Sequence, residues 1–305
     1  MKTKIQIVVS VFLLSLCSVH AQTFEVNGIN YNITSASEVE VINKTGCYTG
    51  DIVIPATVED SGTTYNVIGI GDDAFNDCDI TSINLPNSIT YIGEFAFRDC
   101  RDITSITLPD SVTSIGYAAF LYCTELVSVN IPENVSVINQ STFSQCGKLT
   151  SITIPSSVTS IGTYAFSSCF SLATVNIYVP SPINITIHRF WNLDLSLIAL
   201  NVPIGSESAY ASSPVWQDFG TINGTLSTNE FKPIYDISIS PNPVIKDINV
   251  TGLFTSEKYE IYDLNGKKVK EGHISNFDKI NVGNLSNGLF ILKLGNGITK
   301  KIIKK

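Results

Sequence analysis

The apolar positions of this chain recur on a beat. Five segments superimpose when the chain is slid along itself: Ile70-Gly71 to Phe75 to Cys78, Ile92-Gly93 to Phe97 to Cys100, Ile115-Gly116 to Phe120 to Cys123, Ile138 to Phe143 to Cys146, and Ile161-Gly162 to Phe166 to Cys169. The step is 22 residues once, Phe75 to Phe97, and 23 thereafter. A second ladder keeps the same beat: Pro86, Pro109, Pro132 and Pro155, each after an apolar residue, with Ile80, Ile103, Leu126, Leu149 and Leu172 upstream. A fixed period of this length is the signature of a repeat architecture.

The content of one unit follows from its side chains. Ser105-Ile106-Thr107-Leu108 alternates polar and apolar before Pro109, which predicts a short strand with Ile106 and Leu108 inward. Proline ends that strand. Val112 and Ile115 turn back to the core, and Ala119, Phe120 and Cys123 have the three-residue spacing of one face of a helical turn. Each unit is therefore strand, corner and helical turn. A single unit has nothing to bury its apolar face against, so it is stable only when stacked on its neighbours. At about 4.7 to 4.9 Å per strand, five units make a short, curved solenoid with a parallel sheet on one side.

Residues 236–305 follow a different grammar. Ile237-Ser238-Ile239-Ser240 runs into Pro241-Asn242-Pro243, and the alternating runs at 259–263 and 267–269 are joined through Asn265-Gly266, a hairpin signal. Asn287-Gly288 precedes Leu289–Lys293, and the chain closes on Lys300–Lys305. Several short strands separated by turn residues predict a small all-β sandwich. At the other end, Lys2 and Lys4, the apolar run Ile5–Leu16 and Val19-His20-Ala21 read as a secretory signal peptide over residues 1–21. That run is too short to span a bilayer, and no later segment comes closer, so no transmembrane segment is expected. Leu16 stands where a lipoprotein signal needs a small residue, which argues against lipidation at Cys17.

Charge separates the same two parts. Residues 22–230 carry 20 acids against Lys44, Arg98, Arg101, Lys148 and Arg189, a balance of −15. Residues 231–305 carry 12 Lys and 7 acids, a balance of +5, and Lys2 and Lys4 complete the net −8. An acidic, Lys-poor repeat region repels phosphate backbones, which excludes nucleic acid as its partner.

The unit I-G-x-x-A-F-x-x-C-x-x-L-x-S-I-x-I-P-x-S-V-T-x resembles the BspA-type leucine-rich repeats of bacterial surface proteins. Glu133-Asn134-Val135 and the missing Gly and Thr142 of the fourth repeat are its departures. Residues 24–69, with Asp51-Ile52-Val53-Ile54-Pro55 as a degenerate first strand, resemble the N-terminal cap of such arrays. Residues 200–222, through Trp216 and Phe219, resemble their closing segment. The C-terminal motifs resemble the type A sorting domain of the type IX secretion system of Bacteroidetes. What these resemblances imply is an α/β leucine-rich-repeat solenoid followed by a small all-β sandwich, exported through the inner membrane by the signal peptide. The sorting domain then carries it across the outer membrane, handled by the type IX machinery. The expected organisation is 1–21 signal peptide, 22–69 cap, 70–180 five repeats, 181–222 C-terminal cap, 223–235 linker and 236–305 sorting domain.

The cysteines admit two readings. Six mature cysteines in an exported chain suggest disulfides. Yet Cys78, Cys100, Cys123, Cys146 and Cys169 share one column, where parallel Cβ vectors a coil apart orient sulfurs poorly for bonding, so these five are expected as buried free thiols. Cys47, in the cap, either pairs or stays free.

Chemistry is sparse. The mature chain has only His188 and His273, and no nucleophile, base and orienting acid fall into a recognisable motif. Asp72, Asp73, Asp77, Asp79, Asp99, Asp102 and Asp110 cluster near the first repeats but lack alternating-oxygen calcium spacing, so they read as a solvated edge. No catalytic residue, metal or cofactor is expected. The candidate working surface is the outward face of the strand ladder: Ser82, Ser105, Ser128, Ser151 and Thr174 in one column, Asn84, Thr107, Asn130, Thr153 and Asn176 in the next. Rows of small polar groups suit a glycan or an extended peptide, or simply keep the sheet soluble. Three functions follow: an adhesin or recognition module for a surface protein or glycan, a structural matrix component, and, least supported, an enzyme.

Overall fold

A computed structural model describes residues 23–227, 238–251, 253, 257–274, 278–295 and 299–305. The expected signal peptide and most of the expected linker lie outside the described residues. Within them the repeats stack as coils. Ser105–Ile106 pairs in parallel with Ser128–Val129, and Ser151–Ile154 with Thr174–Ile177. This ladder begins with Thr49–Val53 on Asp79–Asn84 and continues through Ala199–Pro203 to Thr221–Leu226. The last strand runs through part of the stretch expected as linker, because residues 221–226 still find parallel partners in Ala199–Pro203.

Each coil has a second strand that the alternation pattern does not announce. Thr63–Ile70, Tyr91–Ile92 and Ser114–Ile115 pair in parallel, as do Val137–Ile138 and Ser160–Ile161. Two residues per coil are too few to show a period, so the sequence yields only the inward Ile of each. The corner between the two strands is a tight turn in which the Val112, Val135 and Val158 N–H groups donate to the carbonyls of Pro109, Pro132 and Pro155. Serine hydroxyls in those corners reach down one coil: Ser111 to the Ile89 carbonyl at 2.6 Å and Ser157 to Val135 at 2.7 Å. Where the third repeat has Asn134 in that place, its amide donates to the Asp110 carbonyl at 2.8 Å. The longer side chain keeps a bond to the coil below but moves it two positions, from Val112, the equivalent of Ile89, to Asp110.

The third side of each coil is not the expected helical turn. Ala118, Phe120 and Tyr122 donate their N–H groups to Gln140, Thr142 and Ser144 of the next coil, while Leu121 and Cys123 close i to i−3 turns on Ala118 and Phe120. Ala118 and Tyr122 take positive φ, 51° and 63°, and the same positions do so in every repeat. Alternate N–H groups point out of the coil, where the neighbour's carbonyls satisfy them. A helix would keep those bonds within the segment. Coil contact is also why glycine follows the isoleucine: a Cβ on Gly116 would sit 2.5 Å from the Glu94 nitrogen. In the fourth repeat Asn139 replaces that glycine, with its amide on the Ile115 carbonyl at 2.6 Å, and Thr142 binds the Asn139 carbonyl at 2.8 Å.

Stacked coils place their phenylalanines in one spine. Phe75, Phe97, Phe120, Phe143 and Phe166 lie ring on ring, with centroids 5.3, 5.2, 5.4 and 5.8 Å apart and planes within 7°. Tyr48 precedes the column and Phe190 extends it one coil beyond the five read from sequence. Beside it, the thiols of Cys100, Cys123, Cys146 and Cys169 donate to the carbonyls of Phe75, Phe97, Phe120 and Phe143 at 3.0 to 3.2 Å. Burial pushes Cys100 and Cys169 up to about 12. These four are free, as expected. Cys78 is the exception: it is bonded to Cys47, with Cα atoms 5.5 Å apart. The column argument governs sulfurs one coil apart, whereas Cys47 lies 31 residues away in the cap and approaches from another direction.

The C-terminal region is two antiparallel sheets. Ser238–Ser240, Asp247–Thr251 and Lys279–Asn281 form one; Lys268–Ile274, Glu257–Asp263, Gly288–Leu294 and Thr299–Lys304 form the other. They bury a core of its own, including Val250, Ile261, Leu292 and Ile302. At the hairpin, Gly266 takes φ 77° and the Asp263 carboxylate accepts the Asn265 and Lys267 N–H groups at 2.9 Å each.

Truncating the spine at its middle, Phe120→Ala, is expected to cost about 3 to 5 kcal/mol in urea unfolding. Labelling the denatured, unreduced mature protein should modify Cys100, Cys123, Cys146 and Cys169 and spare Cys47 and Cys78 until a reductant is added.

Candidate functional site

The strand face carries the polar rows in register: Ser128 pairs with Ser105, and Ser151 with Thr174. Ser105, Ser128 and Ser151 are exposed, and their hydroxyls make no hydrogen bond among the described residues. Thr107 and Thr174 are half-buried. At the N-terminal end the cap adds Asp51 to the row, opposite Ser82. Its carboxylate accepts the Ser82 and Thr81 hydroxyls at 2.7 Å each, and these hold it below the usual carboxylate range. The sequence places Asp51 at the head of a degenerate first strand, and the register with Ser82 shows that it belongs to this row.

The second row is largely committed to the fold. Asn130, expected on the outer face, is 5% exposed. Its side-chain oxygen accepts the Leu108 N–H and its amide donates to the Leu108 carbonyl, both at 2.7 Å. Backbone pairing between these coils ends at Ile106 and Val129, and the asparagine side chain takes over where the strand stops. Farther along, Asn176 donates to Thr153, Asn201 to Asn176 and Asn223 to Asn201, at 3.3, 2.8 and 3.0 Å. Asn201 and Asn223 were missed because the closing segment breaks the 23-residue beat. Asn84 remains half-buried at the other end.

The acids expected on a solvated edge do local work. Asp72 accepts the Glu94 N–H, Asp73 accepts the Asn76 amide, and Asp99 pairs with Arg98 and Arg101. Among the described residues, no three His, Cys, Asp or Glu side chains converge as metal ligands. Asp110 and Glu133 occupy equivalent corners of successive coils. Burial raises both carboxyls, and the Asp110 charge raises Glu133 further; one Glu133 oxygen is buried without a hydrogen-bond partner. Of the histidines, His188 is exposed and stacks on Trp191 with centroids 5.5 Å apart, and His273 lies in Lys268–Ile274 of the C-terminal sheet.

Sequence families match both parts. Residues 68–195 match the BspA type leucine rich repeat region in six copies, and residues 238–305 match the secretion system C-terminal sorting domain. The chain carries a BspA-type leucine-rich-repeat region and a C-terminal sorting domain. Similar solved structures include the T. pallidum leucine-rich repeat protein, 23% identical over 67% of this chain and 83% of that one, TM-score 0.46. A leucine-rich cell surface protein from Faecalibacterium prausnitzii is 22% identical over 68% and 76%, TM-score 0.39. A leucine-rich repeat protein from Bacteroides capillosus is 26% identical over 51% and 97%, TM-score 0.33. No curated protein matches the chain. The sorting domain marks the chain for type IX export to the cell surface or the exterior. No described helix is long and apolar enough to cross a membrane.

The Asp110 and Glu133 corner gives a pH test. A carboxyl whose folded pKa is raised holds its proton better in the folded protein, so its contribution falls as pH rises from the ordinary carboxylate value through the raised one. Glu133→Gln and Asp110→Asn should therefore unfold at higher temperature than the parent at pH 7, and the curves should converge as pH falls toward about 4.

Proposed function

We propose that this protein is a recognition module displayed outside the cell, whose strand face engages an extended polymer, a surface protein segment or a glycan. One observation carries the reading: the hydroxyls of Ser105, Ser128 and Ser151 stand exposed, unbonded and one coil apart, while neighbouring polar side chains are engaged in the fold. Regular donors and acceptors at strand spacing match a ligand that itself repeats along its length. The role is non-catalytic. Asp72, Asp73 and Asp99 are engaged by neighbouring groups, and the family is one of repeat proteins.

A matrix component without a specific ligand is the second reading, favoured by the linked amides of Asn176, Asn201 and Asn223, which bond one another rather than solvent partners. Screening the full chain against arrays of glycans and matrix proteins separates the two. A ligand lost on Ser128→Arg with no change in thermal unfolding supports recognition by the strand face. Absence of any ligand at high protein concentration favours the matrix role, and unchanged binding by Ser128→Arg rejects the strand face. Asn130→Ala behaves differently: it strands both backbone groups of Leu108 and should cost about 1 to 3 kcal/mol of stability.

A further inference from the structure

The turn face of the solenoid ends on uncovered rings. Phe190, the last ring of the spine, is closed off edge-on by Trp216 and Phe219, at 6.1 and 5.4 Å. Trp216 is fully buried and donates its indole N–H to the Ile183 carbonyl at 2.7 Å. The residue next to Phe190 is treated otherwise. Trp191 is 49% exposed and stands in the register position that Ser144 and Ser167 occupy in earlier coils. Its ring lies nearly parallel to that of His188, 18° apart at 5.5 Å, and Tyr164 of the preceding coil meets His188 edge-on at 5.9 Å and 81°.

The backbone that carries these rings is held in place. Tyr164 and Ser168 donate their N–H groups to the carbonyls of His188 and Trp191, at 3.0 and 2.9 Å. Arg189 is anchored by its Nε on the Ile161 carbonyl at 2.9 Å and by a second nitrogen on the Thr186 hydroxyl at 2.6 Å. Polar groups border the rings in the same two coils: the Thr186 hydroxyl, and the Asn192 amide donating to the Ser168 hydroxyl at 3.3 Å. The closing segment thus seals one ring of the turn face with two aromatics and leaves its neighbours open. Large exposed aromatics beside small polar groups are the composition of a binding surface rather than of a plain cap.

We propose that Trp191, His188 and Tyr164 form a saccharide-binding platform on the turn face, taking neutral β-linked pyranosides. Such sugars present C–H groups, polarised by the adjacent oxygens, on their flat faces and hydroxyls around the rim. The flat face meets the negative face of the indole; the rim meets the amide and hydroxyls of Asn192, Ser168 and Thr186. Charge removes one alternative: a balance of −15 over residues 22–230 repels anionic lipid headgroups and acidic polymers. The platform shares no residue with the strand face, so the two sites stand or fall separately.

The test titrates the full-length protein with cellotetraose and with β-1,4-galactotetraose by calorimetry, and follows intrinsic fluorescence in parallel. The chain has two tryptophans, and only Trp191 is exposed, so its emission reports the site. Saturable heat with at least one sugar, and a matching emission change, are expected. Trp191→Ala should bind about tenfold more weakly or worse, and Trp191→Phe, which keeps a ring, should retain most of the affinity. Sugar binding that survives Trp191→Ala and is lost in Ser128→Arg puts the sugar on the strand face and overturns this site while leaving the strand-face reading intact. Should Trp191→Ala not fold, judged by its thermal transition, His188→Ala replaces it with the same expected loss. The proposal is overturned by no saturable signal with either sugar, by full affinity in the ring-deleted variant, or by partition onto neutral phosphatidylcholine vesicles in place of sugar binding.

Discussion

The backbone hydrogen bond between coils is the constraint from which the rest follows. On the turn face, Ala118, Phe120 and Tyr122 bond upward to the next coil, and on two other sides short strands do the same. That fixes the rise per coil at hydrogen-bonding distance, so residues 22 or 23 apart must touch. A phenylalanine in one coil then has a phenylalanine above it, as the 5.2 to 5.8 Å ring separations record. Glycine follows the isoleucine where a Cβ would strike the coil below, and in the fourth repeat Asn139 stands there with its amide bonded to that coil. The cysteines fit the same geometry. Each spine carbonyl from Phe97 to Phe143 takes an N–H from its own coil and a thiol from the next, so the sulfur serves as a weak donor as well as a small apolar group.

A stack of identical coils leaves two ends, and there the sequence stops repeating. At the start, Tyr48 packs on Phe75, and Cys47 bonds the one column cysteine that has no earlier coil of its kind beneath it. An oxidising destination, implied by the sorting domain, suits that bond, while the deeper thiols stay reduced by burial and by lacking a reachable partner. At the finish, Trp216 and Phe219 close the spine, and the linked amides of Asn176, Asn201 and Asn223 carry polar order past the last regular repeat.

Function has to use what stacking leaves over. In the strand-face rows, Asn130 and the later asparagines are absorbed into coil contacts, whereas the serine hydroxyls remain available. A side chain's value as a ligand contact therefore depends on whether the adjacent backbone already has a partner. That balance differs from rung to rung even where the sequence pattern is the same.

The sequence by itself determined the coil count to within one, the Phe and Cys columns and the inward apolar positions of each strand. These are legible because a repeat writes the same packing demand five times over, so each position is read against its equivalents. Only the tertiary structure decided the rest. The turn-face backbone departs from a helix because the acceptors for alternate N–H groups lie on another coil, which no local window contains. Cys47 meets Cys78 across 31 residues through the cap's path. Asn130 turns inward because strand pairing stops one residue short. Trp191 and Trp216 are the same residue type 25 positions apart, yet one is left open and the other sealed, a difference set wholly by what the closing segment covers.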